Sequence, residues 1–324
     1  MKMLILGGAG MVGRKLAERL AADGQLGGKE IAELTLYDVV AAQKPAGALF
    51  PVKIVVGDLP APGETDKLVA GKPDVIFHLA AIVSGEAEQE FDKGYRINLQ
   101  GTMNLLESIR QAGNKPRVVF TSSIAVFGAP FPDKIPDNFF TTPLTSYGTQ
   151  KAIGELLLAD YTRKGFLDGV GIRLPTICVR PGKPNKAASG FFSNIIREPL
   201  AGHEAVLPVS EDVMHWHASP RAAVGFLLHA ATIDGEKIGP RRNLSMPGLA
   251  VTVGQQLEAL RKIAGEKVVK RVRHERDPFV EQIVAGWPRN FETERAKSLG
   301  FKAESSFEEI IKVHLDDELG GKIA

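Results

Sequence analysis

The chain has almost no cysteine: Cys178 is the single one in 324 residues. No intramolecular disulfide can form, so the fold must be held by its core, as in a reducing compartment. Cys178 lies in the apolar run "TICV", which makes it a small buried hydrophobe. An excess of either charge is also missing. Lys and Arg number 40 against 38 Asp and Glu, a formal charge of +2, so no basic surplus argues for a nucleic-acid partner. No stretch approaches the roughly 18 uninterrupted apolar residues of a membrane span. The opening "MKMLILGG" ends its apolar run at Leu6 and passes straight into glycine, which suits a first strand better than a signal peptide. A cytoplasmic protein without a membrane partner is expected. No metal is expected either. His203, His215, His217 and His229 never stand beside cysteine or carboxylates in ligand spacing, although the pair His215-x-His217 needs a place in the fold.

What is present is an ordinary soluble balance, 44% hydrophobic and 24% charged, in a chain long enough for one large or two interlocked domains. Strand-sized apolar runs at 3–6, 34–37, 52–55, 75–77 and 118–121 are separated in most places by helical patterns such as 12–22 and 95–112. The runs do not alternate with polar residues, so both faces of their sheet are covered. That rhythm is the α/β class, a Rossmann-type doubly wound parallel sheet. A helix over 146–164 and a strand at 171–174 continue it. Beyond Pro175 the rhythm breaks into shorter pieces, with helices at 220–231 and 254–264 and a final amphipathic helix capped by Ser306, Glu309 standing three on. There are no repeats or long linkers. Residues 1–177 read as the dinucleotide-binding domain with 216–248 packing back onto it, and 178–324 as a smaller C-terminal α/β substrate lobe.

Gly7, Gly10 and Gly13 in "LILGGAGMVG" follow the first strand and open a helix. Backbone amides there, Met11 and Val12 included, can approach a pyrophosphate, and the helix dipole favours its charge. Asp38 closes the second run, "LTLYD", where a carboxylate accepts hydrogen bonds from an adenosine ribose and repels a 2′-phosphate, favouring NAD over NADP. Asp58 in "VVGDL", followed by Leu59, either reaches the adenine amino group or serves as a turn residue.

Tyr147 and Lys151 in "TSYGTQK" stand at i and i+4 and share one helix face. On its own the spacing is weak, because most such pairs are surface contacts. Its company gives it weight: Ser122 and Ser123 follow the fifth strand, which is expected to end at Thr121, at the sheet edge where ligands bind. A free phenol, with pKa about 10, is a poor base at neutral pH. A neighbouring ammonium and an oxidised nicotinamide would both lower it.

These landmarks, with "DVIFHLAA", "YRINLQGTMNLLES", "TSSIAVFG" and "RLPTICVRPG" in the same order, resemble the extended short-chain dehydrogenase/reductases, the NAD-dependent epimerase/dehydratase group, over essentially the whole chain. The resemblance implies Ser123 as the catalytic hydroxyl, Tyr147 as the acid/base, and Lys151 as the group that lowers its pKa and binds the nicotinamide ribose. It puts Leu79, Ala80 and Ala81 beneath the cofactor and Ser122 just inside the catalytic serine. Asn98 takes a structural and proton-relay position, and Pro175, Thr176 and Ile177 lie beside the nicotinamide. It also implies a homodimer built from the 95–112 and 146–164 helices.

Departures from the group narrow the substrate. Leu6 replaces the usual threonine before the first glycine. Ile124 and Ala125 follow Ser123 where dehydratases carry Asp-Glu, which disfavours elimination of water. "VMHWHASPR" aligns His217 with the group's histidine but has Val213 and Met214 where nucleotide-sugar enzymes carry Arg and Asp. Without that arginine a diphosphate loses a bidentate partner, so a smaller substrate fits better. The second lobe resembles a branch that oxidises the C2 hydroxyl of four-carbon sugar acids, D-erythronate among them. A small-molecule sugar acid needs one cation and a few hydroxyl partners. The candidates are Arg180, Lys186 and Arg197 for the cation, and Ser84, Ser189, Asn194, His215 and His217 for the polar groups. An NAD-dependent nucleotide-sugar epimerase is the alternative. A non-catalytic dinucleotide sensor is a third, set against the retention of serine, tyrosine and lysine together.

Overall fold

In the computed structural model, which describes residues 1–182 and 189–324, one parallel sheet organises the first two-thirds of the chain. Its strands are β1 (Lys2–Leu6), β2 (Glu33–Asp38), β3 (Val52–Val56), β4 (Val75–His78), β5 (Arg117–Ser123) and β6 (Asp168–Leu174). A seventh, Asn243–Ser245, is β9, because β7 (Thr176–Ile177) and β8 (Met214–Ala218) precede it in the chain and lie in another sheet. The order is β3-β2-β1-β4-β5-β6-β9, so the chain reverses direction across the sheet between β1 and β4. A doubly wound sheet binds its ligands at that reversal, outside the carboxyl ends of the strands.

The apolar runs explain the layering. In β1, Met3 and Ile5 face one core with Leu16 and Leu20 of α1 (Met11–Asp23), while Leu4 and Leu6 face the other. This second core is filled by Val69 of α2 (Glu64–Ala70), Leu105 and Ile109 of α3 (Gly101–Ala112), and Leu158 of α4 (Ser146–Arg163). Next in the chain come α5 (Gly190–Leu200) and α6 (Pro220–Thr232). Leu227 of α6 joins the first core and β9 extends the sheet beside β6, so much of the 216–248 stretch lies against the main sheet and its helices.

The second lobe has its own core, in which Phe192 and Ile195 of α5 meet Leu257 and Leu260 of α7 (Val253–Ala264) and Ile310 of α8 (Phe307–Leu319). Its small sheet sets β7 parallel to β8 and β8 antiparallel to β10 (Leu249–Thr252). Lys15 of α1 is ion-paired with Glu318 of α8, and Arg221 with Asp317 at 2.5 Å, so the last helix clasps the first domain. Among the described residues no helix is long and apolar enough to cross a membrane.

Three local expectations change. Strand β5 runs to Ser123 rather than stopping at Thr121, because Ser122 and Ser123 still pair with Arg173 and Leu174 of β6. The 95–112 helix is not uniform: Tyr95–Gln100 forms a π-helical turn before α3 begins, and the wider turn carries Asn98. At the tail, Ser306 caps α8 by accepting from the Glu309 amide at 3.3 Å. The Glu309 carboxylate, however, returns to Ser305, to its amide and its hydroxyl at 2.8 Å each, so the reciprocal half of the capping box is shifted by one residue.

The glycine turn after β1 is set by contact rather than by flexibility alone. Gly7 sits at φ +89°, and a Cβ on Gly13 would fall 2.1 Å from the Gly7 carbonyl oxygen. Gly13→Ala is therefore expected to force α1 away from β1 and cost about 1–3 kcal/mol, as overpacking does. Denaturant unfolding of the variant checks this; an unchanged midpoint would show that the turn yields without cost.

Candidate active site

Because every strand of the main sheet runs the same way, their carboxyl ends deliver the candidate residues to one edge. From β1 comes the glycine turn, held by Gly7 and Gly8 amides on the Tyr37 carbonyl at 2.8 and 3.0 Å. From β2 comes Asp38, whose carboxylate accepts from the Ala9 amide at 2.9 Å and the Val39 amide at 2.8 Å. Asp38 thus braces the turn as well as placing a negative charge beside it. Helix α1 begins at Met11 with Gly10 as its cap, and no side chain satisfies its first amides. A glycine-lined turn leading to uncapped helix amides, with a carboxylate on the next strand, fits the pyrophosphate and adenosine ribose of a dinucleotide.

Asp58, after β3, is ion-paired with Arg96 at 2.6 Å, with both groups well exposed. Leu59 is buried and packs over Gly101. After β4 come Leu79, Ala80 and Ala81. A Cβ on Gly7 would meet the Ala80 amide nitrogen at 2.9 Å, so turn and loop are in close contact. Asn98 fixes that loop from the other side. It accepts from the Ile82 amide at 2.8 Å and donates to the Ile82 carbonyl at 3.3 Å and to Gln150 Oε1 of α4 at 2.8 Å. The structural part of its expected role is thereby explained.

Helix α4 presents Tyr147 and Lys151. Thr145 caps it by accepting from the Gly148 amide at 3.1 Å. Gly148 lets the helix touch the turn after β5, since a Cβ there would lie 2.1 Å from the Ala125 carbonyl oxygen. This contact brings Tyr147 beside Ser123, whose hydroxyl accepts from the Ala125 amide at 3.1 Å and favours the phenolate. Lys151 is buried. Its ammonium donates to the Thr121 carbonyl at 2.7 Å and lies 4.9 Å from the Phe120 ring centre and 5.6 Å from that of Tyr147.

Burial pushes the Lys151 pKa down to about 8, against the opposing pull of Glu155. It raises the Tyr147 phenol above its ordinary value, and the groups that oppose this are the Arg180 cation and the Ser123 hydroxyl. Burial outweighs the opposing Arg180 cation in the chain by itself.

The two serines divide their work, because successive residues of a strand point to opposite faces. The hydroxyl of Ser122 is engaged within the protein. It donates at 2.5 Å to Glu155, which Arg173 grips with two bonds of 2.9 and 2.7 Å. This buried trio joins α4, β5 and β6. The residues that missed attention in the sequence are these two charges; an arginine inside the otherwise apolar strand "GVGIRL" was the available sign that a carboxylate waits nearby.

The substrate candidates separate clearly. Arg180 donates to the Ile177 carbonyl at 3.1 Å and the Ser189 hydroxyl at 3.4 Å, and its backbone amide donates to Ser193 at 3.0 Å. Tyr147 and Cys178 are the groups that favour its charge, and no carboxylate among the described residues does. Arg197, by contrast, is occupied by Glu198 at 2.6 Å, Asn194 at 2.7 Å and the Arg180 carbonyl at 2.8 Å, so it and the Asn194 oxygen serve the lobe's own frame. His217 is 0% exposed, bonded to Gln256 at 2.9 Å and packed on Phe192 and Phe307, which removes it from any substrate. His215 stacks on Phe192 and meets Thr176 Oγ1 at 2.6 Å. Burial drives both imidazoles below the ordinary range, His215 to about 3. Both are neutral core groups and no metal cluster forms among the described residues. Ser84 and Ser189 are half-buried, Pro175 and Ile177 are buried and Thr176 is partly open. Lys186 lies outside the described residues.

Residues 3–218 match the model of the NAD dependent epimerase/dehydratase family. The chain belongs to this family. A D-erythronate dehydrogenase from Cupriavidus necator is 49% identical over 98% of both chains. One from Haemophilus influenzae is 43% identical over 98% of this chain and 100% of its own. A crystal structure described as the nucleoside-diphosphate-sugar epimerase from Agrobacterium tumefaciens is 66% identical, with a TM-score of 0.98 over 100% of this chain and 96% of that one. The expected family, the likeness to D-erythronate dehydrogenases and the doubly wound fold are borne out.

Lys151 binds its proton less tightly in the fold, at about 8, than its ordinary 10.5. The unfolded chain therefore takes up more protons between these values, and stability conferred through this group rises with pH across that window and is lost as pH falls through about 8. Relative to Lys151→Met, the natural protein should gain stability from pH 8 to pH 10.5. Parallel unfolding curves that stay a constant distance apart over this range would contradict the burial of a charged amine.

Proposed function

We propose that the protein is an NAD-dependent dehydrogenase that oxidises the C2 hydroxyl of D-erythronate, or of a close four-carbon sugar acid, to the 2-oxo acid. The observation that carries this reading is Arg180, a cation beside the Tyr147 phenol whose charge no carboxylate among the described residues offsets. A short acid brings the missing carboxylate and sets its neighbouring carbinol near the phenol. Relatives at 49% and 43% identity bear the name of this activity.

Asp38, the glycine turn and the first amides of α1 would hold the dinucleotide, and a carboxylate at Asp38 favours NAD over NADP. Bound NAD supplies the acceptor for the hydride that leaves C2. The chain's own work is to bind and to move one proton. Ser123 hydrogen-bonds the substrate oxygen, Tyr147 as phenolate takes the hydroxyl proton, and Lys151 adds positive charge behind the ring. Arg180 holds the carboxylate, with the Ser189 and Ser84 hydroxyls available to the remaining oxygens. Leu156 of α4 and Met103 of α3 stand exposed and would be covered in a dimer built on these helices.

A second reading, a nucleotide-sugar epimerase, is favoured by the description of the 66% identical neighbour. Against it, Val213 packs into the second lobe's core where the nucleotide-sugar enzymes carry their arginine. Assay decides between them. With NAD and D-erythronate, NADH should accumulate; no NADH with any four- to six-carbon sugar acid, together with conversion of a UDP-sugar without net reduction, would establish the epimerase instead. Tyr147→Phe should lower the rate by about 10²–10⁴-fold. Arg180→Met should raise KM for the acid on the order of 30-fold or more, as loss of a buried charged partner does.

A further inference from the structure

Tyr147, Lys151 and Glu155 stand four apart on α4, so one face of the helix carries a phenol, an ammonium and a carboxylate in succession. Among the described residues the ammonium has one hydrogen bond, to the Thr121 carbonyl. The carboxylate is turned away from it and fastened to the sheet by Arg173 and Ser122. On the proposed reading of this site, we infer that Glu155 is a positioning residue of the reaction: held by Arg173 and Ser122, it supplies the fixed negative charge that keeps the buried Lys151 protonated.

The surroundings leave this task to Glu155. From α4 itself Lys151 faces Tyr147 and Glu155; from β5 it faces the Phe120 ring and the Thr121 carbonyl. From β4 the nearby titratable group is His78, buried, bonded to Thr102 at 2.8 Å and kept neutral, with its pKa pushed down to about 3 by burial and by Lys151. From the π-helical turn comes Asn98, bonded to Gln150 of α4, and both are uncharged. Arg173 lies beyond the carboxylate and Arg180 beyond the phenol, and both are cations. Among the described residues Glu155 is the one anion acting on an amine that burial has brought down to about 8. Because two strands fix the carboxylate, it does not swing over to form a contact pair that would withdraw the ammonium from a cofactor ribose.

The test reads cofactor binding, so it does not depend on the substrate being a sugar acid. NADH affinity, followed by its fluorescence, is measured against pH for the natural protein, Glu155→Gln and the double variant Glu155→Gln/Arg173→Met. The double variant removes the buried partner that the single one strands, and keeps the test readable where the single variant does not fold. The account predicts that binding weakens as pH rises through about 8 in the natural protein. The same loss should occur at least about one pH unit lower in both variants, a tenfold change in proton affinity. A limb that stays in place in the double variant, or in a folded single variant, would overturn the inference and leave the trio as a brace between helix and sheet. Absence of NADH binding in the natural protein at every pH would overturn the cofactor reading beneath it.

Discussion

One ammonium, that of Lys151, has been taken out of water and, among the described residues, given a single backbone carbonyl in exchange. Much of the site is arranged around that fact. Desolvation makes the charge costly, and nearby anion is the ordinary remedy. Here the anion stands a helical turn away and is tied to two strands, so the amine is left free on the side that faces the phenol. The sheet edge adds the rest: glycine turn, Asp38, the 79–82 loop and Ser123 arrive there because all seven strands run one way.

The same dryness acts on Tyr147 with the opposite sign. Burial disfavours phenolate, while Arg180 and Ser123 favour it. The base is poised between them, and its working state depends on what enters the cleft. A carboxylate at Arg180 neutralises part of the charge that helps the phenol ionise, whereas an oxidised nicotinamide adds positive charge. Substrate recognition and base strength therefore draw on the same guanidinium, which makes Arg180 central to specificity in this account.

Much of this was legible in the residues. Unbroken apolar runs announce a sheet covered on both sides, and Gly7-x-x-Gly10-x-x-Gly13 after the first of them places the phosphate turn. Tyr147, Lys151 and Ser123 were readable by spacing and order. Less legible was whatever depends on where two distant side chains meet. His217 has the right place in a motif but ends at 0% exposure among aromatic rings, and Arg197 is consumed by its neighbour Glu198. Ser122 and Ser123 look alike in sequence, yet strand alternation sends one to Glu155 and the other to Tyr147. The π-helical turn at Tyr95–Gln100 leaves no mark in hydrophobic periodicity. Glu155 could have been found, since it extends the Tyr147–Lys151 stripe by one more turn and a lone arginine stands in the adjacent strand.

The central claim is that the Tyr147 phenol, held above its ordinary range by desolvation, is brought toward ionisation by positive charge added beside it, and ultraviolet titration of Tyr147 tests it most directly. The signal is the difference between the natural protein and Tyr147→Phe, recorded with and without saturating NAD. The account predicts an ionisation above the ordinary tyrosine range without the dinucleotide and a displacement toward neutral pH with it. An ionisation that NAD leaves unmoved would contradict it.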